Sequence, residues 1–176
     1  MRFLSFYLLS LLFIPSISIA QVQVLGFEIG SSTLEQVKTQ LAKQTRIHDA
    51  GINKFTRGPQ IKTDGEGYGI ERLYEVFYIF DQDHKLAGVL MTMCKTRFDE
   101  ILSFLSEKYT LTAKRRPFVG DMFARFKAKG VIIELDAPHL SFNMEIRYIR
   151  DDLYKQFNMQ TAQETQQKKA YEKSKF

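Results

Sequence analysis

Apolar positions recur along this 176-residue chain with two different periods. Leu34, Val37 and Leu41 fall at helical spacing, and so do Phe98, Ile101 and Leu105. Each member of the second set lies 64 residues after its counterpart in the first. Ser32 with Glu35 has the spacing of a capping box ahead of the first helix, and Thr96 with Asp99 repeats it more weakly ahead of the second. Strand-like sequence follows both helices. The pattern predicts a tandem arrangement of two similar units, each a helix followed by antiparallel strands.

Period-two alternation marks the strands. Residues 22–27 predict a short strand before the first helix. Residues 46–69 carry Gly51, Gly58, Pro59, Gly65, Gly67 and Gly69, and predict turns or a mobile loop. Residues 70–80 and 86–93 are apolar on both faces, so they predict a central, covered hairpin turning at residues 81–85. Lys129 and Gly130 predict a tight turn. In that register Ala128 faces Val131, Phe126 faces Ile133 and Ala124 faces Leu135, while Arg125 faces Glu134 and Lys127 faces Ile132. A slip of one residue would mix the two sets, so the register is strongly specified. Phe142, Met144, Ile146 and Tyr148 alternate with Asn143, Glu145 and Arg147 in a further strand, and residues 110–116 predict another. Beyond Arg150, Leu153 and Phe157 suit one docked helical turn. The Gln- and Lys-rich remainder predicts a solvated helix or disorder, with Glu164 and Lys168 as one helical pair. The expected fold class is α+β, with units at 21–95 and 96–150 and a polar helix or tail at 151–176.

The N-terminus reads as an export signal. Arg2 precedes an apolar stretch at residues 3–14, Pro15 ends it, and Ser18-Ile19-Ala20 supplies small residues for cleavage. About 12 apolar residues are too few to span a bilayer, which takes ~20. Cleavage near Ala20 leaves Gln21 first, without the lipid-attachment cysteine of a lipoprotein. The expected location is periplasmic or secreted. The formal net charge is +5, and loss of Arg2 with the leader lowers it by one, to +4. Cys94 is the single cysteine, so no intramolecular disulfide forms. Its place at the end of an apolar run predicts a buried, inert thiol; the alternatives are a reactive thiol or an intermolecular disulfide.

Catalytic and metal motifs do not emerge. Counted from Asp81, the fifth, sixth and twelfth positions of a calcium loop hold Lys85, Leu86 and Thr92, which do not fit. His48, His84 and His139 lack metal-ligand spacing. No G-x-S-x-G occurs. The sequence therefore predicts no enzyme, no cofactor and no metal. What stands out is a basic cluster. Arg125, Lys127 and Lys129 share one strand face, as do Lys114 and Arg116 on the preceding segment. A turn at residues 117–120 would bring all five to one solvated surface, with Phe118 and Phe123 as apolar anchors. Glu134 and Asp136 offer the alternative of internal pairing, worth ~0–1 kcal/mol for each exposed pair. As a contact surface the cluster fits an acidic envelope protein or an anionic envelope surface. Export excludes nucleic acid. The rival classes are an envelope hydrolase using His84 or His139 with distant acids, and a carrier of small apolar ligands or lipids.

Gly30-Ser31-Ser32-Thr33-Leu34-Glu35-Gln36-Val37, with Leu41 following and the helix-then-strands order repeated from Phe98, resembles small exported modules of the BamE/SmpA and β-lactamase-inhibitor type. The resemblance spans most of residues 26–149 in outline. The spacing from Gly30 to Gln36 differs from that of BamE, and no Gly-x-Pro follows Leu41. The resemblance implies a non-enzymatic interaction module used in inhibition or envelope assembly, and it transfers no binding residue to this chain.

Overall fold

A computed structural model describes residues 21–176. The expected export signal lies outside the described residues. The described residues begin with a miniature hairpin, β1 (Gln23–Val24) and β2 (Phe27–Glu28), whose turn residues Leu25 and Gly26 both have positive φ. One short strand was expected over residues 22–27. The turn at Gly26 instead doubles the segment back, so that Val22, Val24, Phe27 and Ile29 are all buried.

Helix α1 (Leu34–Leu41) starts one residue later than the Ser32 cap predicts. Thr33 forms a β-bridge with Lys85, which keeps it extended, and its hydroxyl accepts from Gln36 N while Gln36 Oε1 accepts from Thr33 N. Ser32 Oγ serves the preceding turn, accepting from Glu28 N at 2.8 Å. Four strands follow: β3 (Ile47–Ile52), β4 (Pro59–Asp64), β5 (Leu73–Phe80) and β6 (Leu86–Cys94). A single 3-10 turn (Lys95–Arg97) leads into α2 (Phe98–Lys108), which has no side-chain cap, so the Thr96 cap is not formed. Then come β7 (Thr110–Arg115), β8 (Met122–Ala128), β9 (Val131–Ala137), β10 (Asn143–Arg150) and the helix α3 (Asp151–Lys173).

All eight strands after the small hairpin join one antiparallel sheet in the order β3-β4-β5-β6-β10-β9-β8-β7. The architecture of the described residues is α+β, with one large antiparallel sheet and three helices. The β5–β6 hairpin is central, and residues 46–69, expected as turns or loop, supply β3 and β4. Few large apolar side chains point inward there, because β3 is an edge strand bulged between Asp49 and Ile52. The glycines do make the loop after β4 tight. A side chain at Gly65 would collide with the Leu73 carbonyl, and Gly67 adopts φ +90° against the Gln44 carbonyl.

One face of the sheet, the inner one, carries the core. Ile61, Tyr78, Val89, Tyr148, Ile133 and Phe126 lie side by side on six successive strands, all buried. Leu34, Val37 and Leu41 of α1, and Phe98, Leu102 and Leu105 of α2, belong to the same cluster. The Phe27 ring meets Tyr78 edge-on at 5.7 Å. Thr63, wholly buried, is satisfied by Tyr68 OH at 2.6 Å, which in turn meets Tyr78 OH at 2.9 Å. The β8–β9 register is the one the alternation predicts, and Lys129 and Gly130 turn with positive φ. Phe142 departs from expectation: it precedes β10 and is exposed rather than facing the core with Met144. Among the described residues no helix is long and apolar enough to cross a membrane.

Candidate functional site

The predicted surface of five cations is not assembled. Between Leu111 and Ala113 the pairing of β7 with β8 shifts by one residue. The extra residue, Thr112, donates its hydroxyl proton to Arg125 O at 3.0 Å. Such a bulge reverses which side chains of β7 point to each face. Arg115 therefore sits opposite Phe123 on the outer face, while Lys114 sits opposite Ala124 on the helix-covered side. Arg116 lies past the strand, and its guanidinium forms two 2.9 Å hydrogen bonds with Asp99 of α2. That contact holds the Asp99 carboxyl below the usual carboxylate range. Lys129 sits in the β8–β9 turn. Arg125, Lys127 and Phe123 remain on the outer face.

Arg125 and Arg147 of that face are partnered across the strands. Glu134, only 5% exposed, accepts from Arg125 Nε and Tyr154 OH at 2.9 Å through Oε1, and lies 3.5 Å from Arg147 Nη1 through Oε2. Arg147 also binds Asp136 at 2.9 Å and Glu145 at 2.8 Å. Burial opposes the Arg147 charge, but the Glu145 and Asp136 carboxylates outweigh it and raise its pKa. The Arg125 guanidinium lies near two rings, 5.2 Å from the Phe123 centroid and 5.6 Å from that of Tyr154. On β4 and β5, Lys62 meets Glu75 at 2.6 Å. Sequence reasoning found Glu134 and Asp136 as partners but not the central role of Arg147, which shows only when β10 is seated between β6 and β9.

At the end of the sheet near the residue 81–85 turn, α3 covers the outer face. Leu153 is buried, Tyr154 reaches Glu134, and Phe157 packs edge-on against Phe55 at 5.0 Å. Arg150 ties the start of α3 to the turn, bonding Asp81 and Asp152 at 2.7 Å each. Burial works against the Asp81 charge, but Arg150 and the Lys85 N–H hold its carboxyl below the usual range. Between helix and sheet runs a groove of about 320 Å³. Ile79, Leu90 and Ile149 form its floor, and Phe55, Leu153 and Phe157 its apolar walls. Farther along, α3 is a continuous exposed helix. Glu164 accepts from Gln160 and lies 3.9 Å from Lys54 rather than pairing with Lys168.

At the opposite end, the β7–β8 and β9–β10 loops lie side by side. Met122 pairs with Ala137, and Asp121 Oδ1 accepts from His139 N at 2.8 Å. Phe118, Leu140 and Phe142 on these loops are 103%, 94% and 90% exposed, and Val119 is exposed beside them. Sequence reading singled out Phe118 alone. The Lys95 ammonium holds the second loop, donating to the carbonyls of Pro138 and His139 at 2.8 and 2.9 Å.

Cys94, at the same end of the outer face, is half-buried rather than enclosed as expected. The Thr96 hydroxyl, 3.2 Å from Sγ, and the Thr96 backbone N–H lower its pKa to about 7, aided by Arg72 at 3.8 Å. Among the described residues no group of three or more His, Cys, Asp or Glu side chains is disposed to hold a metal ion. His48 approaches only Asp64, at 3.6 Å.

Compared with known protein families, with curated proteins and with solved structures, the chain matches none.

Proposed function

We propose that this chain is an exported, non-enzymatic binding protein that meets its partner through the loop end of the sheet. The observation carrying this reading is the concentration of Phe118, Val119, Leu140 and Phe142 on two adjoining loops, each open to solvent. Exposed apolar residues scattered singly are ordinary, whereas several together mark contact surfaces. The ionic groups of the outer face support the same reading. Their carboxylates and guanidinia are bonded to one another, which suits structural roles better than proton transfer. The resemblance to BamE/SmpA and β-lactamase-inhibitor modules points to the same class, as does the export signal expected from the sequence.

The tandem origin belongs to this proposal. Its supports are the 64-residue offset between the starts of α1 and α2, the four-strand meander after each helix, and the meeting of the two meanders through their last strands, β6 and β10. A second reading, a carrier of small apolar molecules, is favoured by the groove beneath α3.

A photo-crosslinking residue at Phe142 in living cells tests the contact. The expected result is a light-dependent adduct with an envelope component, absent when the same residue replaces Ile52 on β3. No adduct at 142, or equal adducts at both positions, overturns the proposal.

A further inference from the structure

We infer that the loop end docks on an anionic phospholipid surface, with Phe118, Leu140 and Phe142 entering the interfacial zone of the bilayer. This rests on the binding role proposed above and names the partner's chemistry. Shape is the first argument. These side chains stand on protruding hairpin loops and are nine-tenths exposed or more. A rigid protein surface would need matching cavities for three such projections, whereas lipid deforms around them.

Charge is the second argument. Lys95, Lys114, Arg115 and Arg116 lie beside the loops, with the carboxylates of Asp99 and Asp121 among them. Arg115 and Arg116 are paired with Asp121 and Asp99, whereas Lys95 and Lys114 form no ion pair with a carboxylate among the described residues. Among the described residues Lys95 bonds only carbonyl oxygens, and no carboxylate there pairs with it. Long basic side chains at the base of an apolar tip can reach phosphates while the tip enters the acyl boundary. A neutral bilayer would satisfy the rings but not the cations.

The chain contains no tryptophan, so Phe118→Trp places the only indole of the full chain at the loop tip. With vesicles of phosphatidylglycerol and phosphatidylcholine at about 0.1 M salt, its emission is expected to shift to the blue and to be quenched by lipids brominated on their acyl chains. Both changes disappear with phosphatidylcholine alone or in about 1 M salt. Lys114→Gln in the same chain raises the lipid needed for half-saturation about fivefold. Ile52→Trp, at the far edge of the sheet, shows neither change, which separates loop docking from attachment through the N-terminal apolar stretch. Unchanged thermal unfolding keeps the variants comparable.

Solvent-like emission at 118 with anionic vesicles, or equal quenching at 52, overturns the inference. If emission at 118 ignores every vesicle while position 142 crosslinks to a protein, the lipid assignment falls and the binding role stands. If neither position responds, both fall.

Discussion

The two faces of the large sheet are built from neighbouring residues of the same strands, yet by different physics. The inner row of Ile61, Tyr78, Val89, Tyr148, Ile133 and Phe126 is closed over by α1, α2 and the small hairpin. One residue along, the outer row reads Lys62, Phe77, Leu90, Arg147, Glu134 and Arg125. Its centre is apolar and half-covered by α3, and its flanks are tied by cross-strand ion pairs. Removal of apolar area from water stabilises the inner face. The outer face gains less, because half-exposed ion pairs give back in desolvation and side-chain entropy much of what attraction provides. Their main effect is on register, since a slip of one residue would set Arg125 and Arg147 opposite Ile133 or Leu135 instead of Glu134.

The sharpest break in this comparison is one substitution on each face. Phe126→Ala empties a wholly buried site and should lower unfolding free energy by about 3–5 kcal/mol, measured by urea denaturation. A loss below that of an outer-face substitution would mean that the inner row is not the core. Glu134→Gln keeps the shape but removes the charge shared by Arg125 and Arg147. Complete burial of the partners would set its cost near 3–5 kcal/mol. Both arginines keep some solvent access, so about 1–2 kcal/mol is expected in the same assay.

The smallest expected effect concerns access rather than stability. Cys94, on the outer face, should react with iodoacetamide in the native protein. The thiolate is the nucleophile and the native pKa is lowered to about 7, so the rate should climb as pH rises through 7 and fall below it. Thr96→Val, which removes the strongest of the hydrogen bonds on sulfur, should move that midpoint upward. A cysteine at the inner-face neighbour, Met93→Cys with Cys94→Ser, should stay unreactive until the protein unfolds. Equal native reactivity at both positions would erase the distinction between the faces.

Sorting of faces was legible wherever a strand alternates cleanly. Met122–Ala128 against Val131–Ala137 is the best case, because a two-residue turn leaves one register that keeps apolar with apolar. The strands β3 and β4 were not legible, since an edge position and a bulge leave them little apolar area to bury. In the candidate site, Phe118 and the pairing of Arg125 with Glu134 were visible. Leu140 and Phe142 were not. Phe142 continues the alternation of β10, so sequence assigns it to the core, and only the position where pairing begins, at Asn143, leaves it in solvent.

The sequence by itself determined the class of structure, the helix faces, the turn at Lys129 and Gly130 and the partner across it, because each depends on residues close in the chain. Tertiary structure alone decided that the two meanders join through β6 and β10, and that Arg147 therefore gathers three carboxylates. It also decided that one inserted residue at Thr112 turns Lys114 toward the helix-covered face and Arg115 toward the outer one. The physical reason is common to both. Strand order and bulges are set by the free energy of fitting distant segments together, and local alternation carries no record of which neighbour a strand will have.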